Sequence, residues 1–124
     1  MGMPLTCYTG PEALQWLREK AAPKGFALNR FRDKQEAIRF VEHLYQLGAS
    51  RVFVPNDRIR DYEKLKREIG GASSDAIVVV LPREMASQRA LLEFYRREAS
   101  NEGLQDEMPD ELVVDGQYLY FWWD

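Results

Sequence analysis

The sequence predicts an α+β domain, a ferredoxin-like two-layer sandwich in which two βαβ units carry an added N-terminal helix and a C-terminal β-hairpin. Three observations lead there. Residues 33–47 place Ala37, Ile38, Phe40, Val41, Leu44, Tyr45 and Leu47 on one continuous side at helical spacing, with Arg39, Glu42 and Gln46 opposite. Residues 76–81, Ala-Ile-Val-Val-Val-Leu, are apolar at every position, as expected of a strand covered on both faces. Asp115-Gly116 separates two β-rich runs, 112–114 and 117–123, and a glycine there accepts the positive φ of a tight hairpin turn.

The remaining elements follow in chain order. Leu5 to Tyr8 reads as a brief strand. Thr9-Gly10-Pro11-Glu12 has capping-box spacing with proline in the first turn, so a helix is expected over 11–22, stopped by Pro23-Lys24-Gly25. Phe26 to Phe31 reads as a strand, and Asp33 with Glu36 caps the helix that Gly48 terminates. Arg51 to Val54 is a short strand ended by Pro55. Asn56 or Asp57 opens a third helix with Ile59, Tyr62, Leu65 and Ile69 on one side, closed by Gly70-Gly71. Ser73-Ser74-Asp75 is turn material. A fourth helix over 84–101 places Leu91, Leu92, Phe94, Tyr95 and Ala99 together, and an acidic loop follows over 102–111.

Strand 26–31, helix 33–47 and strand 51–54 make one βαβ unit. Strand 76–81, helix 84–101 and the terminal strand make the second. The alternative is an α/β fold with a mainly parallel sheet, in which the helix at 59–69 is a right-handed crossover. With 124 residues, short loops and no internal repeat, residues 1–124 read as a single domain.

Composition narrows the function classes. The net charge is −3, and residues 98–124 carry eight carboxylates but no Lys or Arg, so the basic groups all lie in the first 97 residues. A mildly acidic chain does not fit a nucleic-acid binder. A single cysteine, Cys7, leaves no disulfide framework or multi-cysteine zinc site. No apolar run approaches the ~20 residues that span a bilayer, and no basic stretch followed by an apolar one opens the chain. A cytoplasmic protein without membrane attachment is expected. The phosphate-binding glycine loops GxxxxGK[ST] and GxGxxG are missing, as are GxSxG, HExxH and CxxC. The cluster Asp106, Glu107, Asp110, Glu111 lacks the alternating ligands and central glycine of an EF-hand. Neither cofactor nor metal is therefore expected.

The candidate contact residues come from the sheet. Its last strand shows Tyr118, Tyr120 and Trp122 on one side and Leu119, Phe121 and Trp123 on the other, so both sides are apolar. Two helices cover only one side of an open sheet, and a large apolar patch is rare on a soluble monomer. Trp16 lies about 150° from the Leu14, Leu17, Ala21 stripe of its helix, at 100° per residue, and is a candidate outward anchor. The leading expectation is a small non-enzymatic interaction or regulatory module that holds a protein partner, or a second copy of itself, through Trp16, Tyr118, Tyr120 and Trp122. The alternative is a regulatory domain that binds a small anionic ligand through Arg30, Arg51 and Arg58, arginine outnumbering lysine 12 to 5. An enzyme would have to use His43, the lone histidine, or Glu98, on the apolar side of its helix, as a general base. No orienting acid or nucleophile can be placed beside His43, and Glu98, in the last turns of its helix, is expected to bend out to solvent.

Overall fold

The computed structural model describes residues 9–101 and 118–123. Its class is mixed α+β. The order is α1 (Ala13–Glu19), β1 (Ala21–Phe26), α2 (Lys34–Gln46), β2 (Arg51–Phe53), a 3-10 turn (Asn56–Arg58), α3 (Glu63–Ile69), β3 (Ala72–Ser74), β4 (Ala76–Val80), α4 (Met85–Asn101) and β5 (Tyr118–Trp122). The brief strand expected at Leu5–Tyr8, Cys7, the acidic cluster at 106–111 and the hairpin turn at Asp115-Gly116 lie outside the described residues.

The strands form two sheets. β1 pairs with β3 in parallel, and β2, β4 and β5 form an antiparallel sheet with β4 in the middle. These are not the ladders of two βαβ units. The terminal strand lies directly beside β4 and antiparallel to it, whereas a βαβ unit runs its two strands parallel. The mainly parallel alternative does not hold either, because among the described residues the only parallel ladder is the short β1–β3 pair.

Several local readings change for tertiary reasons. The helix expected over 11–22 begins at Ala13 because Thr9 to Glu12 run extended along β2. Val54 N–H donates to Pro11 O at 2.9 Å and Asn56 N–H to Thr9 O at 2.8 Å. The cap is therefore Glu12, not Thr9, and its carboxylate accepts from Leu14 N–H at 3.0 Å and Gln15 N–H at 2.8 Å. The helix then ends at Glu19, because residues 21–26 are claimed by β3. Ala72 N–H donates to Lys20 O, and Ala27 N–H donates to Ser74 O. Small residues permit that approach: a Cβ on Gly25 would sit 2.4 Å from Ala72 O. The strand expected at 26–31 thus ends at Phe26, with Ala27 at φ 42° starting a turn. Ser73 and Ser74, read as a turn, belong to β3 for the same reason. Residues 56–62 do not join α3. It has seven residues and buries none of them.

The alternation of each central strand divides the antiparallel sheet. Val52, Val54, Ile77, Val79, Leu119 and Phe121 face a core shared with Ala13, Trp16 and Leu17 of α1, Phe40 and Leu44 of α2, and Leu91 and Tyr95 of α4. Phe53, Val78, Val80, Tyr118 and Tyr120 cluster on the opposite, outer face. α2 matches its sequence reading closely, burying Ala37, Ile38, Phe40, Val41 and Leu44. Gly48 closes it at φ 110°, where an added Cβ would meet Ser87 Oγ at 2.5 Å and Ser87 Cβ at 2.7 Å.

Tyr45 joins α2 to the edge of β2. Its hydroxyl donates to Glu12 Oε2 at 2.7 Å and accepts from Val52 N–H at 3.0 Å. Burial by itself pushes the Glu12 carboxyl up. The N–H groups of Gln15 and Leu14, the Tyr45 hydroxyl and the Arg18 charge outweigh it and hold the carboxyl below its usual range. Burial and the bond to Glu12 push the Tyr45 hydroxyl up to about 12.

Two predictions follow from these contacts. Gly48→Ala should cost about 1–3 kcal/mol in urea unfolding, since a left-handed alanine is strained and its methyl collides with Ser87. For Tyr45, a folded-state value raised above the unfolded one means stability that is complete below the ordinary phenol range and lost as pH rises towards about 12. The stability advantage of the native chain over Tyr45→Phe should be constant around neutral pH and shrink through that alkaline window. An advantage that is flat up to about 12 would remove the Tyr45–Glu12 bond from the account.

Candidate functional site

Register aligns the outer face of the antiparallel sheet into rows. Arg51 lies across from Val80, and Val80 from Tyr118. Phe53 lies across from Val78, and Val78 from Tyr120. Ala76 lies across from Trp122. Alternation along β5 thus brings Tyr118, Tyr120 and Trp122 to one surface, as the strand pattern predicts. Phe53 and Val78 form its buried floor, and Tyr118 and Tyr120 are half-buried against it. Trp122 remains 39% exposed.

Two guanidinium groups border this surface. Arg51 lies 5.3 Å from the Phe53 ring centroid and donates to Gly10 O at 2.9 Å. Arg58 lies 5.2 Å from the Trp122 centroid. It also donates two bonds to Asp75, at 2.9 Å and 2.6 Å. The hydrogen-bonded Asp75 carboxylate raises the Arg58 pKa, against the opposing effect of burial. A forked, ion-paired guanidinium over an indole face is a rigid arrangement of an otherwise mobile side chain. The anchoring acid, Asp75, sits between β3 and β4. Position 75 carried no such signal in the sequence, where it read as turn material.

The other candidate residues lie elsewhere. Trp16 is 4% exposed and its ring meets Phe26 edge-on at 6.4 Å, so it faces the core and not outwards. The helix is rotated to bury Ala13, Trp16 and Leu17 together, since its start is set by the extended segment before it. Arg30 does not join Arg51 and Arg58. Its Nε donates to Glu98 Oε2 at 2.6 Å and its Nη2 to Glu98 Oε1 at 3.1 Å. The Arg30 guanidinium also stacks 4.7 Å from the Phe31 centroid. Glu98 accepts a third bond from Trp123 Nε1 at 3.0 Å. Glu98 therefore does not bend out to solvent as expected: a carboxylate with three N–H donors on its two oxygens, 4% exposed, is built as an anchor. His43 is exposed and meets Phe94 edge-on at 5.1 Å. The described contacts give neither His43 nor Glu98 a catalytic companion.

No helix among the described residues is long and apolar enough to cross a membrane. Among the described residues, no group of three or more His, Cys, Asp or Glu side chains is placed to hold a metal ion. Comparison with protein-family models, curated proteins and solved structures found no match.

The Glu98 geometry yields a direct test. Glu98→Gln keeps the shape but turns an amide N–H₂ towards the Arg30 and Trp123 donors, and should cost about 2–4 kcal/mol in urea unfolding. A loss within experimental error of zero would show that Glu98 does not hold these elements together.

Proposed function

We propose that this chain is a small non-enzymatic binding module. It holds a protein partner, a second copy of itself included, on the outer face of its antiparallel sheet. The observation that carries this reading is Trp122, an indole 39% exposed beside a buried apolar floor and held under the Arg58 guanidinium. Tyrosine, tryptophan and arginine are the side chains most enriched where binding energy concentrates, because they bury large area at little conformational cost. Tyr118, Tyr120 and Trp122 supply the ring surface, and Arg51 and Arg58 supply the polar rim. Trp16, in the core, has no part in this surface. A reducing, cytoplasmic setting belongs to the same proposal, on the strength of one cysteine in the whole chain.

The anion reading through Arg30, Arg51 and Arg58 draws less support. Arg30 is committed to Glu98, Arg58 to Asp75, and Arg51 to Gly10 and Phe53.

The test uses Trp122 as its own reporter. Trp16 and Trp123 are 4% and 1% exposed, so acrylamide should quench chiefly Trp122 in the free chain. Complex formation or self-association should protect it. A Tyr120→Ser/Trp122→Ser variant should remain folded and lose association measured by sedimentation velocity and by capture from native extract. A strict monomer at all concentrations, with identical proteins captured by native chain and variant, would sink the proposal.

A further inference from the structure

A second candidate site lies away from the outer sheet face. It is a cavity of about 380 Å³ between the turn after β1 and the start of the β3–β4 run, within the size range of small-ligand pockets. Four features converge on it. Lys24 and Arg60 line it, and neither side chain has a hydrogen bond or ion pair among the described residues. Asp75, the one carboxylate among the described lining residues, has both oxygens bonded to Arg58, so among the described residues the two cations share the lining with no other acid. Leu28 and Ile69, two of the large apolar side chains left exposed, at 59% and 37%, also border it. Ser74 lines the wall at 7% exposure, and its buried Oγ has no partner among the described residues. An orphaned buried hydroxyl in a native fold calls for a physical explanation. Ala27, also in the lining, is the one non-glycine residue at positive φ among the described residues. Strain of that kind gathers at ligand sites.

We infer that this cavity binds a small amphipathic carboxylate. Lys24 and Arg60 hold the anionic end, Leu28 and Ile69 cover a short aliphatic tail, and Ser74 gains a polar partner on binding. Two cations without acid partners select against a cationic ligand of the same shape, and the exposed aliphatic walls distinguish the ligand from a fully hydrated inorganic anion.

The experiment is a two-dimensional amide NMR titration of the full chain with three probes of six carbons each: hexanoate, hexylammonium and hexanol. Hexanoate should shift the amides of residues 24–29 and 73–75 saturably, with a Kd of about millimolar order for so small a ligand. Hexylammonium should shift none of them, and hexanol should bind more weakly than hexanoate. Lys24→Gln/Arg60→Gln, which breaks no hydrogen bond or ion pair among the described residues, should weaken hexanoate binding roughly tenfold or more, the loss expected for charge-assisted bonds. Ser74→Ala should bind hexanoate less well yet melt no lower than the native chain, since it removes an unpaired buried hydroxyl. The inference is overturned if hexanoate leaves these amides unshifted, if the three probes act alike, or if both variants bind as the native chain does. Failure here leaves the outer sheet face untouched, because no residue tested lines that face.

Discussion

The buried carboxylate of Glu98 is the contact on which the arrangement of the core depends. One side chain ties three parts of the chain that are far apart in sequence: α4, the turn after β1 through Arg30, and the end of β5 through Trp123. A charge taken out of water costs several kcal/mol unless it is paired and hydrogen-bonded, and here the fork of Arg30 and the indole N–H bring three donors to its two oxygens. The same bonds fix the Trp123 ring, which then lies 5.2–6.0 Å from the centroids of Phe26, Phe31, Phe40 and Phe121. An apolar core of aromatic rings is thus oriented by a polar anchor at its edge. Aliphatic packing alone tolerates several arrangements, whereas a forked ion pair specifies one.

Asp75 plays the corresponding part for the surface. It marks the break between β3 and β4, where the backbone leaves the parallel ladder with β1 and enters the antiparallel one with β2 and β5. Its carbonyl accepts Trp123 N–H at 3.0 Å while its side chain takes the Arg58 fork. Arg58 in turn lies against Trp122. The outer aromatic face and the cavity lined by Lys24 and Arg60 therefore share one residue and one ion pair. A ligand that disturbs the Asp75–Arg58 fork from the cavity side would alter the support under Trp122. The two proposals can be true separately, but the covalent path between the sites is short.

Much of this was legible from local pattern. The stripe of α2, the full apolarity of 76–80 and the two-sided alternation of 118–123 each reflect burial that repeats at the period of the element itself. Gly48 and Gly70 stand at the helix ends with positive φ, as expected for residues that accept it. The aromatic surface of Tyr118, Tyr120 and Trp122 could be read for the same reason, since strand geometry alone puts alternate residues on one side.

Local pattern failed wherever a partner distant in sequence decided the backbone. Ala21-Ala22-Pro23-Lys24-Gly25 looks like a helix end and a turn, yet its small side chains make it a strand once Ala72–Ser74 lies alongside. Thr9 has the cap spacing, yet Glu12 is the cap because β2 holds the preceding residues extended. Trp16 turned inwards for the same cause. Glu98 and Asp75 acquired their roles only when Arg30 and Arg58 were folded against them from 68 and 17 residues away. The amino-acid order by itself determined which segments are amphipathic and which faces of the central strands are greasy, because those depend on neighbours a few residues off. Strand pairing, sheet order and the meeting of charges were decided by tertiary contact, because a hydrogen bond between distant segments carries no periodic trace in either one.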